Sequence, residues 1–334
     1  MSITAKELAK ILNLSEAAIS MALNSRPGVS IQTQIMVKEA AKEHGYDFSK
    51  ISKKKIPSQS IVFVVYKRQG AVVGETPFFS ELSEGITTTC KEKRYTLQIA
   101  YIHRDDDVKR RIDEIIYSKC AGIVLLGTEM QAEDFQPFSD LPVPLVLLDA
   151  YFDSIKHDCI LINNIQGASM ATDYLIGLVK KQPGYLRSSY SISNFEERAD
   201  GFYKSVRRNG MSTSNSIVHK LAPSIEGAFS DMSEIIKRGD RLASCYFADN
   251  DWIAIGAIKA LRMSGLRIPE DIAIIGFDNV PMTSYIDPPL TTVHVPKKYM
   301  GEMAIKRLID VINSDNHYPI KLEVSTTLKK RRSI

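Results

Sequence analysis

Residues 4–33 have the sequence TAKELAKILNLSEAAISMALNSRPGVSIQT, and this stretch decides the fold of the amino-terminal region. The pattern predicts two short helices joined by a tight turn, followed by the start of a third helix. Thr4 and Glu7 form a capping-box pair, in which each satisfies a backbone N–H that a helix leaves unpaired. Apolar residues then recur at three- and four-residue spacing, which predicts one apolar helix face. Ser15 and Ser30 are the expected N-caps of the next two helices.

The second helix, expected over residues 16–23, has two different faces. Its inner face is apolar and can pack on the first helix: Ile19, Ala22 and Leu23. Its outer face carries small or flexible side chains: Glu16, Ala17, Ser20 and Met21. This layout suits a helix that lies in a DNA major groove while its back packs on the preceding helix. An ordinary helical hairpin is the alternative interpretation, because this spacing by itself does not separate the two.

The composition is that of an ordinary globular protein, with 44% apolar and 25% charged residues in a chain of 334. No run of 18 apolar residues predicts a membrane span, and no secretory leader is expected. Four scattered cysteines, none in a CxxC pair, are expected to be buried thiols in a reducing cytoplasm.

The positive charge is concentrated at the amino terminus. Residues 1–56 contain nine Lys/Arg and five Asp/Glu, and this excess of four equals the net charge of +4 of the whole chain. A polyanion-binding region would need its positive charge there. A solvated helical surface is the alternative interpretation of so small an excess.

From Ser60 onward the sequence alternates between strands and helices. Residues 61–65 form a continuous apolar run, which is typical of a strand buried on both faces. Further strands are expected near 96–102, 122–126, 145–148, 159–162, 184–187, 216–219, 244–247 and 271–277. The expected helices are 79–93, 106–117, 166–180, 194–209, 224–238, 250–264 and 297–313. Such alternation predicts parallel sheets in doubly wound α/β units.

These patterns divide the chain into four parts. The predicted parts are a helical head over 1–48, a polar and basic linker over 49–59, a core over 60–328 and a solvated basic tail over 329–334. Within the core, one lobe is expected to contain about 60–160 and 291–320, and the other about 161–290 and 321–328. A two-lobed sheet domain of this kind binds its ligand between the lobes, beyond the carboxyl ends of the strands. A second nucleic-acid contact is the alternative role of the basic tail.

Patterns that would indicate catalysis are absent from the sequence. The six histidines show neither HxxxH nor HExxH spacing, and there is no GxSxG elbow, phosphate-binding loop or GxGxxG motif. The three consecutive aspartates at 105–107 fit a solvated helix start better than a metal cluster. We therefore expect neither an enzyme nor a bound metal or cofactor.

Strings spread over nearly the whole chain resemble the LacI/GalR family of bacterial transcriptional regulators. They occur in the family's order at 4–9, 19–24, 29–30, 45–46, 78–82, 198–202, 250–257 and 275–279. The resemblance implies an all-α helix-turn-helix DNA-binding head and an α/β core like that of periplasmic sugar-binding proteins. That core consists of two doubly wound parallel-sheet subdomains, and the family pairs as dimers.

The resemblance also implies which residues meet DNA. Positions matching Glu16, Ala17, Ser20 and Met21 face the groove, and the matching phosphate contacts are Thr4, Ser15, Asn24, Ser30 and Thr33. The full expected set adds Lys6, Arg26, Lys53, Lys55 and Ile56. Hydroxyls and helix N-termini position such a protein on the phosphates, whereas only base contacts specify sequence.

Two positions depart from the family pattern. Many members have arginine where Met21 stands, and Met21 can offer only apolar contact instead of a bidentate bond to guanine. The family's hinge leucine, which wedges into the minor groove, is replaced here by Lys55, with Ile56 one place later. Our hypothesis is that this hinge binds phosphates more and kinks DNA less.

Carried over by position, eight residues would line the effector cleft. Phe78, Phe79 and Asp149 come from the first lobe, and Asn194, Arg198, Asn250, Trp252 and Asp278 from the second. Carboxylates and amides bond to hydroxyl groups in pairs, and aromatic faces cover a sugar ring, so a sugar or sugar derivative is the expected ligand. Core packing of each phenylalanine, and a purely structural Arg198–Asp278 ion pair, are the alternative interpretations.

Together these features predict a dimeric, cytoplasmic regulator, expected to be a repressor, that binds a near-palindromic operator. A small molecule in the cleft would control it by changing the arrangement of the two heads. A soluble sugar-binding protein without a regulatory role is the alternative, and the head over residues 1–59 argues against it.

Overall fold

The structure is a computed structural model that describes residues 3–24, 28–46, 59–74, 77–314 and 317–334. The head contains three helices: α1 (Ala5–Ile11), α2 (Glu16–Leu23) and α3 (Ile31–Glu43). All three predicted N-caps form. The hydroxyl oxygens of Ser15 and Ser30 each accept a bond from the backbone N–H three residues on, and Thr4 and Glu7 form the complete capping box. The helices enclose a small core: Leu8, Ile19, Ala22, Val37 and Ala41.

The first lobe is built on a six-stranded, fully parallel sheet. Its elements are β1 (Ser60–Lys67), α4 (Pro77–Glu92), β2 (Thr96–His103), α5 (Val108–Tyr117), β3 (Gly122–Leu126), α6 (Ala132–Phe135), β4 (Leu145–Leu148) and β5 (Asp158–Ile162), and later α11 (Lys297–Ile312) and β11 (Lys321–Val324). The strand order is β11-β5-β4-β3-β1-β2. Strands β3, β4 and β5 are buried along their whole length, as continuous apolar runs in a parallel sheet require.

The second lobe has a sheet of the same size. Its elements are α7 (Asn164–Val179), β6 (Gly184–Ser188), α8 (Ser193–Arg208), β7 (Val218–Leu221), α9 (Ile225–Arg238), β8 (Cys245–Ala248), α10 (Asp251–Met263), β9 (Ala273–Asp278), β10 (Thr291–His294) and β12 (Thr327–Lys329). The strand order is β12-β10-β9-β8-β6-β7, and only β12 runs antiparallel to its neighbour. The prediction of two doubly wound sheets is confirmed.

The final strands belong to different sheets from those that the sequence-based division implied. β11 was expected in the second lobe, yet it pairs with β5 in the first. β10 was expected in the first lobe, yet it pairs with β9 in the second. The chain therefore crosses between lobes after β5, after β10 and after β11, and backbone bonds such as Asn163 N to Val324 O (3.0 Å) fix the last crossing. The local sequence of a short strand does not indicate which of the two sheets the strand joins.

The carboxyl-terminal residues are part of the second lobe, so the prediction of a solvated tail over 329–334 is wrong. Ser333 is fully buried. Its Oγ accepts a bond from Thr291 N (2.8 Å) and donates one to Ile274 O (2.6 Å). Ile274 N in turn donates to Ser333 O (2.8 Å). These bonds hold the backbone of the terminal residues against the second lobe. Among the basic side chains of this segment, those exposed are Lys329, Lys330 and Arg332.

Close helix packing beside the first sheet depends on a pair of glycines. Helices α4 and α11 approach so closely that a Cβ on Gly85 would lie 2.0 Å from the carbonyl oxygen of Lys298, and one on Gly301 would lie 2.3 Å from that of Leu82. Any side chain at either position would push the helices apart. Because α11 comes from the far end of the sequence, this contact joins the two halves of the first lobe. Within the described residues, no helix is long and apolar enough to cross a membrane.

Candidate ligand cleft and DNA-binding surface

A cleft lies between the lobes, beyond the carboxyl ends of the parallel strands of both sheets. All eight residues that the sequence analysis proposed for it line one cavity: Phe78, Phe79, Asp149, Asn194, Arg198, Asn250, Trp252 and Asp278. We call this space the inner cavity. The polar groups sit where strands end and helices begin, the position at which doubly wound sheets place ligand contacts. That these residues bind a ligand stays a prediction.

Arg198 is at the centre of the polar network, although only 3% of its surface is exposed. Its Nε donates to Asn164 Oδ1 (3.0 Å), and its Nη1 donates to Asp249 O (2.5 Å). Its Nη2 lies 3.2 Å from Asp278 Oδ1, which makes a buried ion pair. The guanidinium also lies 3.8 Å from the centroid of the Phe277 ring. A planar cation held on several sides presents its remaining edge in a fixed direction.

A hydrogen bond between Asp149 and Asn194 joins the two lobes across the cleft. Asn194 Nδ2 donates to Asp149 Oδ1 (3.0 Å), while Thr128 Oγ1 donates to Asp149 Oδ2 (2.7 Å). Asn164 Nδ2 donates to Asn194 Oδ1 (3.1 Å), which connects this bond to Arg198. Burial raises the pKa of Asp149 to about 6, although Thr128, Arg198 and Asn194 oppose the rise. A chain of polar contacts thus runs from Asp149 through two asparagines and Arg198 to Asp278.

The loop after β9 holds Asp278 in an unusual backbone conformation. Asp278 has φ 106° and Asn279 has φ 53°, both in the left-handed region that costs free energy for residues other than glycine. The backbone is held from two sides, because Lys297 Nζ donates to Asp278 O (2.8 Å) and Val280 N donates to Asp251 Oδ2 (2.9 Å). Burial raises the pKa of Asp278, although Arg198 and Lys297 oppose the rise.

Two further buried acids support the second lobe's side of the cleft. Asp249 accepts bonds from the Tyr185 hydroxyl and from Ser188 N. Asp251 accepts a bond from Val280 N and contacts Thr292 Oγ1 at 2.5 Å. Burial raises the pKa of Asp249 to about 7 and that of Asp251 to about 8.

Several of the proposed ligand residues also have structural roles. The Asn250 side chain caps α10 by accepting a bond from Ile253 N (2.9 Å), which leaves its amide nitrogen for other partners. Phe78 is 6% exposed and belongs to the hydrophobic core. Phe79 is half-buried and meets Phe78 edge to face, with ring centroids 5.1 Å apart. Of the two phenylalanines, Phe79 is therefore the better candidate to cover a ligand.

Sequence reasoning missed several residues of the cleft. They are Val72, Thr128, Ile192, Phe195, Pro223, Asp251 and Val280 in the lining, and Asn164 and Lys297 behind it. Asp251 follows the matched Asn250 directly and could have been included. The contacts of Asn164 and Lys297 join residues 34 and 19 positions apart, which no local pattern reveals. No group of metal-binding side chains occurs within the described ranges.

The inner cavity has little free space with the side chains as they stand. Its volume is about 30 Å³, which is room for about one water molecule. A ring-shaped ligand would therefore take the place of some of the protein's own contacts. The Asn194–Asp149 bond is the clearest case, because both partners face the cavity and come from different lobes.

The outer face of α2 is the predicted base-reading surface of the head. Glu16, Ala17 and Ser20 are exposed there, whereas Met21 is half-buried. The Met21 sulfur lies 2.7 Å from the place where a Cβ on Gly28 would be, so the side chain folds back over that glycine. This surface offers few hydrogen-bond donors to bases.

The predicted phosphate-contacting residues lie around the ends of the head helices. The side chains of Thr4, Ser15 and Ser30 bond to helix N-termini, and Asn24 Nδ2 donates to Ser20 O (2.8 Å). Lys6 is exposed and Thr33 is half-buried, with its hydroxyl 2.8 Å from that of Ser30. Helix N-termini with bonded caps can still offer backbone N–H groups to phosphates. Arg26, Lys53, Lys55 and Ile56 lie outside the described residues, as does most of the predicted hinge.

The structure combines a three-helix head of helix-turn-helix type with a core of two doubly wound lobes around a polar cleft. A family model described as a periplasmic binding protein-like domain matches residues 172–334. Among similar structures, the transcriptional regulator CelR–cellobiose complex has a TM-score of 0.73 at 23% identity, covering 99% of each chain. The lac repressor bound to ONPG has a TM-score of 0.72 at 20% identity, covering 100% of both chains.

Sequence relatives extend over the full length of the chain. The HTH-type transcriptional repressor PurR of Pasteurella multocida (strain Pm70) is 28% identical over 335 residues, covering 99% of this chain and 98% of PurR. The ribose operon repressor of Escherichia coli (strain K12) is 28% identical over 333 residues, covering 99% of both chains. Over its full length the chain is therefore similar to bacterial transcriptional repressors.

Proposed function

We propose that this chain is a ligand-responsive transcriptional repressor that binds a near-palindromic operator as a homodimer. Residues 1–48 bind the DNA, 49–59 connect the head to the core, and the cleft binds a sugar or sugar derivative. The observation that carries the proposal is the chain of polar contacts from Asp149 through Asn194 and Arg198 to Asp278, because it joins both lobes at the cleft. The relatives named above are repressors, and CelR is described in complex with cellobiose.

The charges around the inner cavity favour an uncharged, hydroxyl-rich ligand. Among the described residues that line the cavity, the acids are Asp149, Asp251 and Asp278, and the one cation is Arg198, which is already paired with Asp278. A phosphorylated ligand would meet more negative than positive charge there. Hydroxyl groups, in contrast, can donate to carboxylates and accept from Arg198 and the asparagine amides. Phe79 and Trp252 supply aromatic surface for the apolar face of a ring.

The ligand would act by changing how the two lobes sit against each other. Asp149 and Asn194 come from opposite lobes, so a ligand that replaces their bond alters the contact between lobes directly. Each head is attached to the first lobe through residues 49–59, and the spacing of the two heads in a dimer follows the lobes. This is allostery only if the ligand binds the two arrangements with different affinity.

The head would bind operator DNA mainly through phosphates. The exposed outer face of α2 offers few donors for base edges, while the head carries the excess positive charge of the chain. Binding should therefore weaken steeply as salt concentration rises. The protein would act as a binding protein, not as an enzyme, in the cytoplasm where its DNA is.

Arg198→Ala tests the proposal, with Arg207→Ala as the control on the same helix, since Arg207 is exposed. Gel shifts with DNA from upstream of the gene would be run with and without a panel of neutral sugars. We expect wild type and Arg207→Ala to shift the DNA and to respond to a sugar. Arg198→Ala should shift the DNA with similar affinity and lose the response.

Two results would contradict the proposal. Loss of DNA binding by Arg198→Ala, with the variant folded, would remove Arg198 from ligand sensing. Sugar binding by a wild-type chain that shifts no DNA would instead favour a soluble sugar-binding protein without a regulatory role.

A further inference from the structure

A second and larger space lies beside the inner cavity. It has a volume of about 510 Å³ and is bounded by both lobes. Val72 of the first lobe and Ile192 of the second line this space and the inner cavity alike, so the two are adjacent. We call it the outer cavity. Its volume lies within the range of about 300–1,000 Å³ that is typical of small-molecule sites, whereas the inner cavity does not reach it.

The first-lobe wall of the outer cavity is fixed in place by Glu129. The Glu129 carboxylate, only 4% exposed, accepts five backbone N–H bonds from the loop after β1. Oε2 accepts from residues 68, 69 and 70 at 2.8–3.0 Å, and Oε1 accepts from residues 72 and 73 at 2.7–2.8 Å. Burial tends to raise the pKa of Glu129, but these bonds outweigh it and leave the pKa below its usual value. The loop is therefore a built surface, and the carboxylate is fully used in holding it.

The second-lobe wall is the loop after β6, which presents an aromatic side chain. Ser188 holds this loop, because its Oγ accepts a bond from Tyr190 N (3.0 Å) and its own N–H donates to buried Asp249 (2.6 Å). Tyr190 lines the outer cavity and is 39% exposed, whereas Ile192 at the junction is buried. An exposed ring on a well-bonded loop is a suitable stacking surface for a flat ligand.

The charges of the outer cavity do not suit an anionic ligand. Arg68 is the cation among its lining residues, and its guanidinium is paired with Glu133 (3.2 Å) and Asp134 (3.1 Å). The Glu129 charge is satisfied by backbone N–H groups. A phosphate or carboxylate would find no unpaired positive partner among these residues. An uncharged ligand with hydroxyl groups would meet exposed Gln69 and Ser189 as well as Tyr190.

We propose that the outer cavity is a second sugar subsite, so that the effector is an uncharged two-ring glycoside. One ring would occupy the inner cavity and the second would lie against Tyr190, with the linkage passing between Val72 and Ile192. This inference rests on the proposed function, because it assumes a sugar in the inner cavity. It adds that most of the room available to the ligand lies outside the residues expected from the family resemblance.

Trp252 provides a direct measurement of binding. It is the only tryptophan in the chain and it lines the inner cavity, so its fluorescence reports occupation of that cavity. The full-length protein would be titrated with matched probes: D-glucose against cellobiose and maltose, and D-galactose against lactose. We expect at least one disaccharide to bind about tenfold or more tightly than its own monosaccharide, a factor equal to about 1.4 kcal/mol.

Variants of Tyr190 separate the outer subsite from the inner one. Tyr190→Ala should reduce the advantage of the disaccharide to about twofold and leave monosaccharide affinity unchanged, because only stacking in the outer cavity is lost. Tyr190→Phe should keep the advantage, since it keeps the ring. Tyr318→Ala, at a tyrosine that is 90% exposed elsewhere on the surface, is the matched control and should behave as wild type.

The possible failures of this inference and of the proposed function differ. Equal affinity for a monosaccharide and its disaccharide, or equal weakening of both by Tyr190→Ala, would overturn the outer subsite while sugar binding stands. If no probe changes the Trp252 fluorescence or the melting temperature, the inference is overturned for neutral sugars. The operator gel shift then decides separately whether the chain is a DNA-binding regulator.

Discussion

The second lobe lines the cleft with a network of buried polar groups, whereas the first lobe lines it mainly with apolar side chains. In the second lobe, Arg198 and Asp278 form an ion pair, Arg198 is also hydrogen-bonded to neighbouring groups, and both side chains are largely withdrawn from solvent. In the first lobe, Phe78 and Phe79 lie beside Asp149, the one acid among the described residues of that wall. The two lobes share a doubly wound topology, so this difference comes from the side chains at the strand ends and not from the fold.

The difference separates two tasks that a binding wall can have. A polar wall must be assembled before a ligand arrives, because unpaired buried charges are costly. Under the proposed function, its residues would therefore both stabilise the lobe and bind the ligand. An apolar wall can contribute contact area without such a network. Substitutions in the second lobe should then lower both stability and ligand affinity, and those in the first should lower ligand affinity with less effect on stability.

Paired substitutions of Asp278 and Phe79 give the largest expected contrast. Asp278→Ala leaves buried Arg198 without its ionic partner, and we expect the free energy of unfolding to fall by about 3 kcal/mol. Phe79→Ala removes a half-buried ring and should cost about 1 kcal/mol. Both should weaken sugar binding, measured by Trp252 fluorescence, while urea denaturation gives the stabilities.

Asp287→Ala is the control for this comparison, because Asp287 is 77% exposed and forms a surface ion pair with Arg262. Its effect should be below about 1 kcal/mol. Equal losses of stability from Asp278→Ala and Phe79→Ala would show that the two walls do not differ in the way described.

Glu129→Gln tests a part of the first lobe that does depend on a buried charge. The glutamine amide offers a single acceptor oxygen to a site where five N–H groups converge, and its own NH2 group would face some of them. We expect a loss of about 2 kcal/mol in the free energy of unfolding, measured by denaturation at neutral pH. Glu133→Gln, at a side chain that is 66% exposed, should change little. If Glu129→Gln leaves the free energy of unfolding unchanged, the loop after β1 does not depend on the negative charge of Glu129.

The buried acids of the second lobe should determine how the free energy of unfolding depends on pH. The raised pKa values of Asp249, about 7, and Asp251, about 8, mean that the folded protein holds protons that the unfolded chain releases above about pH 4. Stability from these groups is complete in acid and is lost as pH rises through 7 to 8. Asp149, with a pKa of about 6, acts in the same sense at lower pH. Glu129 acts in the opposite sense, since its lowered pKa adds stability that is lost on acidification.

We therefore expect the free energy of unfolding to be lower at about pH 8 than at about pH 5.5 by at least about 2 kcal/mol, because each unit of pKa shift within this interval is worth about 1.4 kcal/mol. Asp251→Asn should flatten this dependence, because an amide keeps the acceptor for Val280 N and does not ionise. Denaturation curves of both proteins at the two pH values measure the effect. Stability that rises over this interval in the wild type would indicate that the buried acids of the second lobe are ionised in the folded protein.

The sequence predicts the structure of the head better than that of the cleft, because interacting residues are close together along the chain in the head and far apart in the cleft. Each helix cap of the head is a bond between positions three apart, such as Thr4 with Glu7, and local patterns contain that information. In the cleft, Asp149 and Asn194 are 45 positions apart. Only the family resemblance brought such residues together, and it did not extend to Asn164 or Lys297, whose contacts depend on the packed structure.

The sheet membership of the last strands was not predictable for a related reason. Residues 321–324 form a short strand whose sequence would fit either sheet. Its place is set by the crossings between lobes and by pairing with β5, about 160 positions earlier in the chain. Composition misled at the carboxyl terminus, where the run of cations at 329–332 resembles a solvated tail although the backbone between and after them is bonded to the second lobe.

A substitution at the carboxyl terminus should have the smallest effect. It tests whether the polar network of the second lobe extends beyond the residues that line the cavity. The Arg331 guanidinium donates to Leu290 O (2.7 Å), to Asn279 Oδ1 (2.8 Å) and to Ser284 Oγ (2.9 Å). Asn279 follows Asp278 directly, and both have left-handed backbones. Arg331 therefore braces the loop that presents the Asp278 carboxylate to the cleft, although Arg331 does not itself line the cavity.

Arg331→Ala should lower the free energy of unfolding by about 1 kcal/mol and weaken binding of the tightest sugar probe by about two- to fivefold, as Asp278 becomes less well positioned. Arg332→Ala is the matched control, since Arg332 is exposed and only its backbone N–H bonds to the lobe, at Pro289 O (3.0 Å). Melting curves and Trp252 titrations measure the two effects separately. A loss of stability without weaker sugar binding would make Arg331 a packing residue only. A loss of both stability and sugar affinity would show that the polar network of the second lobe extends to the last residues of the chain. The apolar wall of the first lobe does not require such support.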